Sequence, residues 1–422
     1  MKAPANYAEL PQGDVLCIDM KSFYASVEAV ERGLDPFQVA LAVVGNQDQQ
    51  GSVILAATPP LKEKFNIRTG SRLYEVPKIP EIMLVEPRMS LYMKRSLQVI
   101  ELLTGYVPRQ DMFIYSVDES WLDLDRTKKR YGGAVRMVQK IKNDIFRRFK
   151  LSCSAGIGPN MFLSKVAMDI EGKKQGLAVW RYQDIPEKLW PVEVSEVWGI
   201  GSRTAEKFKK WKIRTVGDIA RRDASFFSRK LGVVGEEIYR QAWGIDSSLP
   251  GGYYDDVRKS IGRGATLYRD YTEPEEIRTV IFNLSEDVGY RARSLGLAGK
   301  TVSLSLSYSR STSRPGFQAQ KTLETATNLE HEILEVCWEL FQKKTRWSKY
   351  PVRRISVSLS SLVAEEEIQL NLFQNKEKKI RLARTRDRIR DKFGPGKLDY
   401  GLSRAEGSIR ERLNSNIGGH KK

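Results

Sequence analysis

Two adjacent carboxylates, Asp118 and Glu119, interrupt an apolar stretch where a hydrophobic core should run unbroken. Phe113, Ile114, Tyr115 and Val117 before them, and Trp121, Leu122 and Leu124 after them, have the β-branched and aromatic bias of two buried strands. In one continuous strand, neighbouring side chains point to opposite faces, so the two acids could not serve one site. A tight turn between the strands lets both face the same way. Asp-Glu lacks the Gly or Asn that two-residue hairpin turns prefer, and local rules tend to break at functional sites. Taken alone, the pair also fits an exposed turn, so the rest of the chain has to decide.

A third acid stands far upstream. Residues 14–20 read as an apolar strand broken by Asp19, after which Phe23, Val27 and Val30 fall at helical spacing, giving a helix from Ser22 to Arg32. Asp19 therefore occupies a strand-to-helix turn, where free N–H groups and the helix dipole suit phosphate; a capping acid would look the same. Tyr24 and Glu28 share a helix face separate from the Phe23 stripe. Residues 33–87 are short-segmented, with strands at 39–44 and 53–57 and a turn at Pro59-Pro60 before Leu61 to Phe65, and read as a small inserted subdomain. Amphipathic helices follow at Met89 to Leu103, with Leu91, Leu97, Ile100 and Leu103 as core positions, and at Tyr131 to Phe149, with Val135, Val138, Ile141 and Ile145 inward. A strand of small residues ends at Gly156-Ile157-Gly158, whose glycines permit close approach of a ligand, and leads into a helix from Asn160 to Asp169 carrying Lys165.

Composition removes most other chemistries. The 422 residues suggest several domains. With only His331 and His420, neither a histidine zinc site nor a Ser-His triad can be assembled. Cys17, Cys153 and Cys337 are far apart in apolar sequence and read as reduced core residues. Any transfer chemistry must lean on carboxylates, lysines and a bound metal. A net charge of +18 calls for a polyanionic partner, most often nucleic acid, and half of that excess follows residue 373, where 15 Lys/Arg face 6 Asp/Glu. No apolar run approaches the roughly 18 residues of a membrane span and no signal peptide is evident, so a soluble cytoplasmic protein is expected.

The second half carries binding features. Residues 185–245 turn to short helices, and Gly199-Ile200-Gly201 ahead of Lys207, Lys209, Lys210 and Lys212 reads as a helix-hairpin-helix. Its Gly199, Gly201, Ser202, Arg203 and Lys207 would hold a nucleic-acid backbone through turn N–H groups and charge, without reading bases. Beyond a linker at 251–256, strand Val257 to Leu267, helix Pro274 to Leu295, strands Thr301 to Ser309 and Gln318 to Leu323, helix Glu324 to Lys344 and strand Val352 to Leu362 give a βαββαβ order. Gln369-Leu370-Asn371-Leu372-Phe373 then sets three large apolar residues outside any core, which calls for a partner. A basic helix from Lys376 to Phe393 follows, and the end, including Gly418-Gly419, is expected to be disordered.

Three motifs together resemble the Y-family, lesion-bypass DNA polymerases, and within them the bacterial UmuC-type branch: Cys17-Ile-Asp-Met-Lys-Ser-Phe-Tyr-Ala-Ser-Val-Glu28, Tyr115-Ser-Val-Asp-Glu-Ser120, and Gly156-Ile-Gly-Pro-Asn160 with Lys165. The resemblance covers residues 14–373. It implies an α+β multidomain protein, a right-hand polymerase with palm (1–32 and 88–184), fingers (33–87) and thumb (185–250), joined to a βαββαβ little finger (257–363) and followed by a clamp-binding motif and basic tail (364–422). It further implies that Asp19, Asp118, Glu119 and the Met20 carbonyl hold two Mg²⁺ ions, that Tyr24 beside Phe23 is the steric gate against ribose, and that Lys165 contacts the triphosphate. One departure stands out. Where many members grip the phosphates with a Tyr-x-x-Arg pair, this chain has Pro60 and Glu63, which leaves Lys62 or Lys64 as substitutes. The implied partners are primer-template DNA, deoxynucleoside triphosphates and a bacterial sliding clamp docked by Gln369, Leu370, Leu372 and Phe373, with a UmuD-type subunit or RecA as candidates. The implied activity is low-fidelity translesion synthesis in SOS damage tolerance. A two-metal nuclease would use similar acids but gives no role to Tyr24 or the βαββαβ unit; a clamp-tethered DNA-binding scaffold would not need the acids.

Overall fold

A computed structural model describes residues 6–248, 250–253, 258–309, 311–345, 350–368 and 375–421. The chain divides into two compact units, one up to residue 255 and one from residue 256 on.

The first unit is built on a five-stranded sheet whose middle strand is β1 (Val15–Met20). Its Val15, Leu16, Cys17 and Ile18 are all buried, as a strand flanked on both sides requires. The order runs β5 (Met112–Ile114), β6 (Glu119–Asp123), β1, β7 (Cys153–Gly158) and β8 (Leu177–Val179), antiparallel except for the β7–β8 edge. Register fixes the functional end: Asp19 lies opposite Glu119 on one side and Ser154 on the other. Residues directly opposite in antiparallel strands share a face, so the pairing alone brings the first acid to the third.

The chain leaves β1 through Ser22, a non-glycine residue in the left-handed region at φ 50°, and enters helix α1 (Phe23–Glu31). The inserted subdomain is a three-stranded sheet, order β3 (Ile54–Ala57), β2 (Ala40–Val44), β4 (Ile82–Val85), with helix α2 (Pro59–Phe65) packed against it through Leu61. Pro59 and Pro60 fill the first turn of α2, where a missing N–H costs no helical hydrogen bond. Thr58 ties this corner: its hydroxyl donates to the Val39 carbonyl at 2.7 Å and accepts from the Leu41 N–H at 2.9 Å.

Helix α3 (Met89–Thr104) and helix α4 (Ala134–Phe149) follow, with a phase correction. In α3 the inward face carries Tyr92, Ser96, Val99 and Leu103, and Leu97 is 62% exposed, because the Tyr92 hydroxyl reaches inward to the buried Glu28 carboxylate at 2.7 Å. In α4, Val138, Ile141 and Ile145 are buried and Val135 is exposed.

The glycines before α5 (Met161–Ala167) serve packing. A Cβ on Gly156 would collide with the Ser164 carbonyl oxygen, and one on Gly158 would lie 2.6 Å from the Ser164 nitrogen. The close approach expected of a ligand is made by α5 itself.

Residues 182–245 form four short helices around an aromatic core that includes Trp190, Phe208, Phe227 and Trp243. The second unit follows the βαββαβ order with β9 (Ser260–Tyr271), β10 (Leu297–Tyr308), β11 (Phe317–Thr327) and β12 (Val352–Ala364), arranged β11-β10-β12-β9. Its helices run Pro274–Ser294 and Glu330–Thr345, the second starting later than its sequence suggests because residues 324–327 extend β11. The helices cover Val302, Leu304 and Leu306, while Ser305, Ser307 and Gly262 lie on the other face. The expected disorder after residue 393 is corrected by the structure. Helix Lys376–Phe393 packs on the helical side through buried ion pairs, Arg293 to Asp387 at 2.6 Å and Arg386 to Glu330 at 2.9 Å, and Gly418-Gly419 turn a short hairpin between Asn416–Ile417 and His420–Lys421. Residues 369–373 lie outside the described residues.

Gly156→Ala should therefore destabilise the protein by about 3 kcal/mol, the upper part of the overpacking range, because the obstacle is backbone. A urea midpoint unchanged from wild type would show that α5 yields freely.

Candidate active site

The Asp118–Glu119 junction is a hairpin longer than the expected tight turn. β5 ends at Ile114 and β6 begins at Glu119, leaving residues 115–118 to cross over. Ser116 replaces the missing Gly or Asn: its hydroxyl accepts from the Glu119 N–H at 3.1 Å and donates to the Asp118 carboxylate at 2.6 Å. The Asp118 carbonyl accepts from the Met20 N–H at 2.9 Å, which joins the turn to the end of β1.

A cleft of about 590 Å³ opens here, and Asp19, Asp118, Met20, Phe23 and Tyr24 line it from the sheet side, with Lys62 and Glu63 opposite. Glu119 does not line it. Its carboxylate is held at 2.7 Å by the buried ammonium of Lys165, and it accepts a 3.4 Å hydrogen bond from the Cys17 thiol. The thiol is pushed well above its usual range, chiefly by burial and then by the Glu119 charge. Among the described residues no three acidic, imidazole or thiol groups converge as a metal cage. Asp19 and Asp118 nevertheless present oxygen donors of the kind a hard divalent cation takes.

Lys165 is engaged elsewhere than the cleft lining. Its side chain is 7% exposed and faces Glu119 and Asp169, away from the cleft. Lys173 does line the cleft, bonded to Asp169 at 2.8 Å and 3.6 Å from Asp19. Sequence reading missed it because the segment between, Met168–Gly172, is a π-helical turn that breaks the 3.6-residue period. The Lys165, Asp169, Lys173 spacing of four and four was the available signal.

On the far wall, Lys62 Nζ donates to the Ser22 hydroxyl at 2.8 Å, and burial lowers its pKa. Lys64, two residues on, is exposed and outside the cleft lining. Tyr24 stacks on Tyr92 with centroids 4.4 Å apart, and Tyr92 is itself pinned by Glu28. Burial opposes ionisation of Glu28, but hydrogen bonds from Arg88, Tyr92 and Arg32 outweigh it and hold the carboxyl below its usual range. The tyrosine ring is thus fixed by a chain of contacts that begins at a buried acid.

In the helix-hairpin-helix, Gly199 sits at φ 92°, which only glycine adopts without strain, and helix Ser202–Lys210 starts directly after Gly201. No atom stands within 4 Å of a Cβ built on Gly201, and Ser202, Arg203 and Lys207 are exposed, so the first N–H groups of the helix are accessible. A second junction, at Gly232, joins helices Ala224–Leu231 and Val233–Ala242, with Val233 80% exposed; that glycine, at a positive φ, was its sequence signal.

Burial, followed by the charges of Asp118 and Glu119 working against that of Lys173, raises Asp19 to about 6. A folded-state pKa above the unfolded value means stability present at low pH and lost as pH rises through about 6. In chelator, Asp19→Asn should therefore stabilise the protein at pH 8, by about 3 kcal/mol at most for a shift of this size, and not at pH 4. A melting temperature equally changed at both pH values would refute this.

Comparison with known proteins places these observations. The impB/mucB/samB family model matches residues 18–169, the family's HHH motif matches 182–213, and its C-terminal domain matches 258–372. The chain is 40% identical to a putative UV-damage repair protein, UvrX, of Bacillus subtilis, over 99% of both chains. It is 35% identical to DNA polymerase IV 2 of the same organism, over 97% of this chain and 98% of that one. A solved Y-family DNA polymerase chimera of Dbh and Dpo4 shares the fold, with a TM-score of 0.68 over 83% of this chain and 99% of that one, at 19% identity.

Proposed function

Because the chain belongs to the impB/mucB/samB family of Y-family DNA polymerases, and so is a DNA-directed DNA polymerase of DNA repair, we propose that it extends primers across damaged template by two-metal catalysis centred on Asp19 and Asp118. The observation that carries this reading is the cleft in which those two acids face Lys62. Divalent metal use follows from the family; two Mg²⁺ ions, held by Asp19, Asp118 and the Met20 carbonyl, are our assignment. Bound there, the ions would lower the pKa of the primer 3′-hydroxyl and stabilise the departing pyrophosphate. Glu119 joins this set only by sharing its carboxylate with Lys165 or releasing it, since the lysine holds it at 2.7 Å.

The chain's own groups do the positioning. Tyr24, braced by Tyr92, presents its ring where a ribose 2′-hydroxyl would clash, with Phe23 packed beside it. The uncapped N-terminus of α1 offers N–H groups to the triphosphate. Lys173 and Lys62 supply the cationic walls in place of Lys165 and Lys64. In the domain reading given above, palm and fingers enclose the nucleotide, while thumb and little finger hold the primer-template, the thumb through Gly199, Gly201, Ser202, Arg203 and Lys207. We further assign the chain to the UmuC-type branch and the cytoplasm, with a sliding clamp docked at Gln369 to Phe373 and a UmuD-type subunit or RecA as further partners in the SOS response.

In primer extension past a defined lesion, Asp118→Ala should abolish product while DNA binding persists, Tyr24→Ala should admit ribonucleotides, and deletion of 369–373 should remove stimulation by clamp. Normal extension by Asp118→Ala sinks the enzymatic reading; the other two results bear on the gate and the tether alone. Lys62→Ala should raise the KM for deoxynucleotide about tenfold, the loss of one charge-assisted phosphate contact, and Lys64→Ala should not. Equal effects from the two would show that neither lysine is specific to the nucleotide.

A further inference from the structure

A second basic cleft lies in the C-terminal unit, largely formed by residues beyond the matched C-terminal domain, which ends at residue 372. About 480 Å³ in volume, it lies between helix Pro274–Ser294 and helix Lys376–Phe393 and is lined by Arg293, Arg381, Arg384, Arg388, Asp387 and Asp391, with Tyr290 at its side. Most of these charges are spent within the fold. Arg293 is buried and bonds to Asp387 at 2.6 Å and Glu330 at 3.0 Å; Arg384 pairs with Glu365 at 2.7 Å; Asp391 accepts from the Tyr290 hydroxyl at 2.6 Å.

Arg381 and Arg388 are different. Both are exposed, and among the described residues neither has a carboxylate within ion-pair reach; Arg388 donates only to the Thr385 hydroxyl of its own helix, at 3.2 Å. Seven residues separate them, which puts them on one helix face about 10 Å apart along the axis. Two unspent guanidinium groups over a cleft already rich in arginine form a receptor for a chain of anions. The span matches a short run of neighbouring phosphates along one nucleic-acid strand. Tyr290, its ring covered by the Arg390 guanidinium at 4.7 Å, adds an aromatic surface of the kind that accompanies single-strand binding.

We propose that this cleft binds the phosphodiester backbone of single-stranded DNA. At about 480 Å³ the cleft has room for a short stretch of one strand and none for the body of a duplex. It also lies on the helical side of the second unit, opposite the sheet face that carries Ser305, Ser307 and Gly262. The site is therefore separate from any DNA contact made by that open face. The choice of DNA rests on the polymerase reading; the cleft's anion chemistry does not.

The test uses the full chain and a fluorescent dT oligonucleotide long enough to fill the cleft, with affinity measured across a salt series. The double variant Arg381→Glu/Arg388→Glu should bind it about tenfold more weakly, and the slope of log affinity against log salt should fall by about 1.4, two contacts at about 0.7 each. Arg381→Gln/Arg388→Gln should give the same direction with a smaller loss. A control with the same charge change elsewhere, Lys344→Glu/Lys397→Glu, should leave the slope near wild type. Blunt duplex binding, and extension of a primer with a one-nucleotide template overhang, should be unchanged in every variant. An unaltered slope in the arginine variants, an equal drop in the lysine control, or an equal loss of duplex binding each overturns the proposal. Absence of extension by wild type would instead refute the polymerase reading, while the oligonucleotide comparison still reports on the cleft.

Discussion

The ion pair between Lys165 and Glu119 sets the geometry of the active-site corner. Strand register brings Asp19 opposite Glu119, and the hairpin adds Asp118 nearby, so negative charge gathers where burial already disfavours it on Asp19. The structure interleaves cations with these acids. Lys165 lies between Glu119 and Asp169, and Lys173 lies between Asp169 and Asp19. A buried pair of this kind is poor evidence for stability, since an apolar pair of like volume often does as well, whereas removing one partner alone costs about 3–5 kcal/mol. Its role is placement. Lys165 reaches Glu119 only because α5 packs directly on β7, and α5 packs there only because Gly156 and Gly158 carry no side chain. Two glycines in one strand thus decide where a carboxylate on another strand points.

That dependence explains what the sequence could and could not disclose. The strands around Asp19 and Asp118, helix α1 and the βαββαβ order were legible because period-2 and 3.6-residue patterns survive wherever one face is buried. The function of the glycines was not, because a close approach looks the same whether the neighbour is a phosphate or a helix. Lys173 was hidden by the π-helical turn before it, and the longer hairpin by Ser116, whose hydroxyl performs a task usually read from Gly or Asn. The inward phase of α3 was misjudged for a related reason: a polar hydroxyl on Tyr92 earns burial through Glu28, while the apolar Leu97 stays outside. Tyr92 is satisfied by a partner distant in sequence, Glu28, whereas Ser116 and Lys173 bond neighbours within four residues in a local geometry that no regular period describes.

The inserted subdomain shows how local rules can displace a functional pattern. Pro59-Pro60 makes an economical start to α2, fixing φ where no hydrogen bond is lost, and Thr58 anchors that start to β2. An aromatic phosphate ligand at position 60 is incompatible with this solution. The helix compensates two residues further on. Lys62 faces the cleft and already bonds Ser22 across it, so the same contact that joins α2 to the mouth of α1 leaves an ammonium next to the helix N-terminus.

Net charge misleads most in the last fifty residues. Read as composition, a +9 segment is a solvated or disordered tail. In the fold, the helix Lys376–Phe393 turns Lys376, Arg386 and Arg390 inward, where Lys376 caps the Ala326 carbonyl at 3.0 Å and Arg386 meets Glu330 and stacks over Tyr400. Arg410 joins Glu286 from a later turn, although burial still raises the Glu286 carboxyl. Glu330 and Glu286, which receive Arg386 and Arg410, lie on helices far upstream, so a local window finds only the nearby partner of Arg410, Asp399. Part of the charge that looks available to a polyanion is thus consumed in tying the tail to its unit, since Lys376, Arg384, Arg386, Arg404 and Arg410 all meet acids, while exposed groups such as Arg381 and Arg388 stay open to a ligand.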